Sequence, residues 1–208
     1  MQKYLILLNL TMSNNVSLIK LNAFFLKSLI KKYKSVIKFI LTFLLVYAVL
    51  SITYKLYLDY SDGSQFYPDY ITNLTAKQSQ LLINSIGYDA TIVPHEAEPS
   101  MKLIINNKFV ARVVEGCNSV SVIILFLSFV IAFAAGWKRT IIFILAGSVL
   151  IYSVNLIRIA ILSIGLFHYP WRREILHTVI FPLIIYGLVF VLWMIWVRYY
   201  SKLQKKNV

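Results

Sequence analysis

The feature that most constrains this chain is a set of long apolar runs that only a lipid bilayer accommodates together. We predict membrane-spanning helices at residues 36–57, 117–136, 140–164 and 177–197, each near the ~20 residues that cross a bilayer core. The chain is 59% hydrophobic and 14% charged, whereas soluble domains are about 45–50% apolar and about a quarter charged. We therefore expect a mainly α fold, a polytopic membrane helical bundle of about four transmembrane helices.

Polar stretches divide the chain into five predicted segments. A basic arm, either an amphipathic helix on the membrane surface or a solvated chain, precedes the first spanning helix. A small α+β insertion, here called the cap, lies between the first and second spans, and a three-helix catalytic membrane core and a basic tail follow it. The boundaries are 1–35 for the arm, 36–58 for the first helix, 59–116 for the cap, 117–200 for the core and 201–208 for the tail.

The cap has its own secondary-structure signals. We predict a short amphipathic helix from Thr75 to Ile86 and a strand at Ala90–Val93. A hairpin is expected from Lys102–Ile105 and Lys108–Val114, because the paired asparagines between them tolerate the positive φ of a tight turn. A cap of this size has a thin core on its own, so we expect it to pack on the membrane domain.

Basic residues predict the orientation of the chain. The net charge is +13, but the basic residues cluster beside apolar runs, which favours contact with anionic lipids and not with nucleic acid. The positive-inside rule places both termini in the cytoplasm and the cap outside, in the cytoplasmic (inner) membrane. Arg172 and Arg173 then lie on the outer side, where binding to outer-leaflet phosphates is one explanation.

Three polar side chains are predicted to meet at one depth in the membrane. Cys117 and His177 open the second and fourth predicted spans at the outer face. Arg158 lies roughly 27 Å along the third span at 1.5 Å per residue, near the outer edge of a ~30 Å core. An arginine within a spanning segment is by default a functional-site hypothesis. These three residues are therefore our candidate catalytic residues.

The chemistry of these side chains fits acyl transfer. The positive end of a helix and a nearby cation both favour the nucleophilic thiolate of Cys117. His177 is suited to take the thiol proton and then pass it to the leaving amine. Arg158 is suited to hold the oxyanion of the tetrahedral intermediate. The sequence thus predicts amide cleavage through a thioester, which water or an amine then resolves.

Three further residues are predicted to support this site. The backbone N–H groups of Asn118 and Ser119 lie in the expected first helical turn, where they are free to donate to an oxyanion. Asn155 lies one turn before Arg158 and is placed to orient it. No cofactor or metal is expected, because the chain has one cysteine and no His-Glu-x-x-His pattern.

Other interpretations of the same residues remain open. A single cysteine in a membrane helix is often a small apolar filler, an arginine can extend to the interface, and His168 is a rival base. The cap histidine, His95, is interpreted as a surface residue. As whole-protein alternatives we consider a non-enzymatic membrane assembly or scaffold protein of an export or surface-anchoring pathway, and a transporter subunit that uses Arg158 for an anion.

Several motifs resemble those of a known family. They are Glu115-Gly-Cys-Asn-Ser-Val-Ser-Val122, then Asn155-Leu-Ile-Arg158-Ile159, then His177 at the start of the last helix. In this order, after the Leu81–Tyr88 segment of the cap, they resemble the exosortase/archaeosortase family over roughly residues 36–200. The short length is similar to the subtype called exosortase F.

The resemblance implies a membrane cysteine transpeptidase or protease. Such an enzyme would cut a C-terminal sorting signal from exported protein substrates and join the new end to a surface acceptor. The family roles fall on Cys117 as nucleophile, Arg158 as transition-state stabiliser and His177 as acid and base. The chain departs from the family at Ser119, where glycine is frequent, and at Val120-Ser121, where many members have arginine.

Overall fold

The computed structural model describes residues 30–61, 65–134 and 136–206. The predicted basic arm lies almost wholly outside these ranges. The chain divides into two compact units, Met1–Thr42 and Phe43–Val208. In the first unit the described residues are mostly helical, and the second unit contains every strand and every candidate site residue.

The described chain is mainly helical, with one small sheet. In chain order its elements are α1 (Lys34–Tyr60), α2 (Tyr70–Ser85), β1 (Ala90–Pro94), β2 (Met101–Ile105), β3 (Lys108–Val113), a 3₁₀ turn (Glu115–Cys117), α3 (Val120–Ala132), α4 (Trp137–His168), a second 3₁₀ turn (Pro170–Arg172), α5 (Arg173–Ile175), a π-helical turn (Leu176–Ile180) and α6 (Phe181–Lys206).

Among the described residues, three helical segments are long and apolar enough to cross a membrane. They are Lys34–Tyr60, Trp137–His168 and Pro170–Tyr199, the last being continuous through α5 and the π-helical turn into α6. Many of their large apolar side chains are exposed in the isolated chain, as expected for surfaces that face lipid. This is a membrane protein with a helical fold.

The helix predicted at residues 117–136 is wrong in its extent. Helix α3 has 13 residues, from Val120 to Ala132, and at 1.5 Å per residue it reaches only about 20 Å. A bilayer core is ~30 Å thick, so α3 by itself is too short to cross it. Residues with positive φ precede both this helix and the next one, at Ser119 before α3 and at Gly136 before α4.

The cap contains a helix and a three-stranded antiparallel sheet in the order β1-β2-β3. Asn106 and Asn107 join β2 to β3 with φ values of 47° and 63°, which is the tight turn that their pairing predicts. Helix α2 begins earlier than expected, because the Asp69 side chain accepts hydrogen bonds from Ile71 N and Thr72 N, each at 3.0 Å, and so caps it.

The cap packs on α4 through a shared apolar core. Ile83 of α2, Leu103 and Ile105 of β2, and Ile159 and Ala160 of α4 belong to one buried cluster. The short cap sheet therefore does not depend on its own core for burial, which agrees with the expectation that it packs on the membrane helices. This contact also brings β3 close to the C-terminal half of α4.

A second core joins α3, α4 and α6. Phe126, Ile151, Val189 and Trp196 are each at most 1% exposed and belong to one cluster. Trp196 stacks on Phe143 with ring centroids 4.6 Å apart. Aromatic packing thus holds these three helices together below the cap contact.

The close approach of α3 and α4 depends on Gly147. A Cβ atom at this position would overlap the ring of Phe126, which is fully buried and packs on Phe143. We expect Gly147→Ala to destabilise the protein by about 1–3 kcal/mol through overpacking, measured as a lower Tm in detergent. Gly187→Ala on α6 is the matched control, because its Cβ would meet open space; equal Tm values for the two variants would contradict this account.

Candidate active site

Cys117 lies in a separate turn and not in the apolar helix it was predicted to open. It ends the 3₁₀ turn Glu115–Cys117, and α3 begins at Val120. The Cys117 N–H donates to the Val114 carbonyl at 2.8 Å. The side chain is half-buried, so the thiol combines a fixed backbone with access from outside the fold.

Two residues after the cysteine stop the turn from merging with α3. Ser119 adopts the left-handed region, with φ 65° and ψ −1°, and the Asn118 side chain accepts a hydrogen bond from Val120 N at 3.0 Å. The asparagine thus forms an Asx-turn that satisfies the first N–H of α3. Ser119 also coincides with the position at which the resembled family often has glycine, the residue that adopts this conformation without steric cost.

The Asn118 side chain also connects this loop to helices α1 and α2 through hydrogen bonds. Its Nδ2 donates to the Tyr54 hydroxyl of α1 at 2.7 Å and to Thr72 Oγ1 of α2 at 3.1 Å. Asn118 is fully buried, and these bonds satisfy both amide protons. Neither Tyr54 nor Thr72 was predicted as part of the site, since their only sequence signal is a polar group beside apolar neighbours.

One predicted oxyanion donor is already engaged. The Asn118 N–H donates to the Glu115 carbonyl at 3.2 Å, because the residue closes a 3₁₀ turn and is not the start of a helix. The prediction that this N–H is free for an oxyanion is therefore wrong. Ser119 keeps its candidate role as a prediction.

Asn155 connects α4 to the cysteine. Its Nδ2 donates to the Cys117 carbonyl at 2.7 Å, and the residue is 1% exposed. The observed contact places Asn155 on the nucleophile's own backbone. The predicted role of Asn155 in orienting Arg158 stays a prediction.

Cys117 and Arg158 line one cavity of about 190 Å³. Its other lining residues are Gly116, Val122, Pro182, Ile185 and Tyr186. Arg158 interacts electrostatically with Cys117 and with Tyr186. The structure thus brings together two of the three predicted catalytic residues and adds the Tyr186 phenol, whose only sequence signal was a hydroxyl inside an apolar run.

His177 belongs to the π-helical turn Leu176–Ile180, and its side chain lies outside what the structure describes. The turn leads directly into α6, whose Pro182, Ile185 and Tyr186 line the Cys117–Arg158 cavity. The rival base, His168, is bonded elsewhere: its Nε2 lies 2.8 Å from the Tyr88 hydroxyl of the cap. The assignment of His177 as acid and base stays a prediction.

Glu115, two residues before the cysteine, has a perturbed carboxyl group. Burial raises its pKa, and the carboxylates of Asp69 and Asp59 raise it further. A raised folded-state pKa means that the contribution of Glu115 to stability is complete at low pH and is lost as the pH rises through that pKa.

The left-handed conformation of Ser119 gives a test of the cysteine loop. Ser119→Gly and Ser119→Ala both remove the hydroxyl, but only alanine retains the steric cost of this conformation, about 1–2 kcal/mol. We therefore expect the glycine variant to be the more stable by about 1 kcal/mol in chemical unfolding. At Ser121, inside α3, the order should reverse because glycine is the poorer helix former; the same order at both sites would contradict the assigned geometry.

The family model for transmembrane exosortases (Exosortase_EpsH) matches residues 25–199, which include every candidate site residue and every residue of the two buried clusters. No curated protein and no solved structure matches the chain. The match is to the family as a whole, and the exosortase F subtype stays a prediction. The chain belongs to the transmembrane exosortase family.

Proposed function

We propose that this chain is a membrane cysteine transpeptidase that cuts a C-terminal sorting signal from exported proteins. The exosortase family is membrane-embedded and is generally taken to process sorting signals. The observation that carries the proposal is the shared cavity of Cys117 and Arg158. A thiol beside a guanidinium has both the nucleophile and the cation that acyl transfer needs.

In the proposed reaction, the Cys117 thiolate attacks the carbonyl carbon of the scissile amide. A C–S bond forms, and the carbonyl oxygen becomes an oxyanion, which Arg158 stabilises. His177, protonated by the thiol, donates that proton to the departing amine as the C–N bond breaks. Water or an amine then attacks the thioester carbonyl, loses a proton to His177 and releases the thiolate.

The surroundings of Cys117 support a nucleophile of fixed position. Asn155 bonds to its carbonyl, and Asn118 ties the following residue to α1 and α2. A reacting group held in this way needs little reorganisation before attack. Because the Asn118 N–H is engaged, Arg158 becomes the main candidate for oxyanion stabilisation.

The proposed location is the outer face of the cytoplasmic membrane, with both termini in the cytoplasm. It rests on the basic residues that flank the spans and has a simple test. Cys117 is the only cysteine, so a membrane-impermeant maleimide should label the protein on intact spheroplasts and leave Cys117→Ser unlabelled. Labelling only from the cytoplasmic side would overturn this orientation.

The enzyme proposal is tested by trapping its intermediate. Membranes from cells that export their own substrates are quenched in acid, which preserves thioesters, and Cys117-containing peptides are sequenced by mass spectrometry. We expect an acyl group on Cys117 that ends in a C-terminal segment of an exported protein and that hydroxylamine releases. Absence of any acyl group in actively processing cells would favour the non-enzymatic assembly role.

A further inference from the structure

The two edge strands of the cap sheet differ in whether another part of the chain covers them. At β1, the Ala90 N–H donates to Asn84 Oδ1 at 2.7 Å and the Ala90 carbonyl accepts from Gln80 Nε2 at 2.9 Å, so α2 covers that edge. The same strand ends at Pro94, which lacks an N–H donor. At the other edge, β3 has no second strand partner among the described residues.

A cavity of about 230 Å³ runs beside this free edge. It is lined by four consecutive residues of β3, Val110 to Val113, and by Ile159, Leu162, Ser163 and Leu166 of α4 together with Arg173. Successive side chains of a strand point to opposite faces. Ala111, Arg112 and Val113 pair in regular register with β2, so a cavity that touches all three lies along the edge of β3 and not over one face of the sheet.

The cavity reaches the proposed nucleophile. Cys117 is one of its lining residues and also lines the cavity that contains Arg158, so both spaces border this residue. At the opposite end of β3, the Lys108 ammonium lies 5.8 Å from the centre of the Phe167 ring. This cation–π contact links β3 to the end of α4.

We propose that the substrate segment next to the scissile bond binds in an extended conformation as a fourth strand on the free edge of β3. Strand addition uses main-chain hydrogen bonds for affinity and places alternate side chains in neighbouring pockets. Here it would lead the backbone carbonyl directly to Cys117, with alternate side chains against the apolar wall of α4. This inference rests on the proposed function and specifies how that site holds its peptide.

Two features of the groove fit a short peptide segment. Its volume is below the roughly 300–1,000 Å³ of pockets for drug-sized ligands, so it has room for only a short segment of extended chain. The pairing of β2 with β3 also shifts register between Leu103 and Ile104, and such bulges are frequent next to active sites, where they redirect the strand.

Photo-cross-linking with an identified substrate tests this binding mode. The first step is to identify a substrate. Terminal-peptide mass spectrometry compares native cells with Cys117→Ser cells and finds an exported protein whose processed C terminus is present only in the native cells. This protein is then given an epitope tag. A benzoylphenylalanine residue is then introduced at Ala111 in β3 or, as the control, at Thr91 in β1, each in the Cys117→Ser chain. We expect the tagged substrate to cross-link at position 111 at least tenfold more than at position 91, through residues beside the cleaved bond.

A bulky side chain provides a second measurement on the active enzyme. Ala111→Trp should fill the groove and lower processing at least tenfold at normal protein level, while a small maleimide still reaches Cys117 through the Arg158 cavity. Thr91→Trp should process normally. Cross-linking at position 111 to phospholipid alone, or equal cross-linking at both edges, would overturn strand addition. If no C terminus depends on Cys117, the proposed function fails and this inference fails with it.

Discussion

Cys117→Ala and Cys117→Ser are each expected to abolish processing of an exported substrate without lowering the amount of protein in the membrane. Removal of the nucleophile from a comparable triad lowers turnover on the order of 10⁶-fold. A serine hydroxyl is not an adequate replacement, because the thiolate is the attacking species and a hydroxyl does not ionise near neutral pH. Processing is measured as the mobility shift of a tagged substrate in cells that lack the native gene.

The control for this experiment is the thermal stability of the folded protein. Cys117 is half-buried, and its backbone is held by hydrogen bonds that neither substitution removes. Both variants should therefore keep the Tm of the native protein within a few degrees. Normal processing by either variant would refute the cysteine mechanism, whereas loss of processing together with loss of protein would assign Cys117 a packing role.

Part of the site could be predicted from spacing alone. The distance of Arg158 from the start of its helix predicted that its side chain lies level with Cys117, and the two residues line one cavity. The hairpin of β2 and β3 could also be predicted from the sequence, because Asn106 and Asn107 are both suited to positive φ. These inferences depend on periodicity and local conformational preference, which a single sequence contains.

The contacts that hold the cysteine loop could not be predicted in this way. Asn118 bonds to Tyr54, 64 positions earlier, and Asn155 bonds to Cys117, 38 positions earlier. Such pairings depend on how the cap and the helices pack, which local propensity does not determine. The extent of α3 was missed for a related reason, since the helix starts only after Ser119 and the apolar run continues beyond its end at Ala132.

The addition of Tyr186 changes the expected electrostatics of the site. A site built only from Cys117, Arg158 and His177 has one permanent cation. The structure adds a phenol that interacts electrostatically with Arg158 and lines the same cavity. The guanidinium therefore has Tyr186 of α6 as well as the Cys117 thiol as an electrostatic neighbour.

Arg158→Lys is for this reason expected to lower the rate of thioester formation about 10²–10³-fold, the effect of removing one oxyanion donor. Lysine keeps the positive charge but lacks the rigid fork that can contact two groups at once. The effect should fall on kcat more than on KM, because the oxyanion forms only during the reaction. Acid-quenched single-turnover assays with the tagged substrate would measure it directly.

Arg139→Lys is the matched control, since this arginine lies in the first turn of the same helix, α4, and lines neither cavity that contains Cys117. It should process at the native rate. A native rate for Arg158→Lys as well would show that charge alone suffices at this position, which fits an anion-binding role and contradicts oxyanion stabilisation by the guanidinium. An increase in KM with an unchanged kcat would instead assign Arg158 to substrate binding and not to the chemical step. The oxyanion would then need another donor, for which the Ser119 N–H is the remaining candidate.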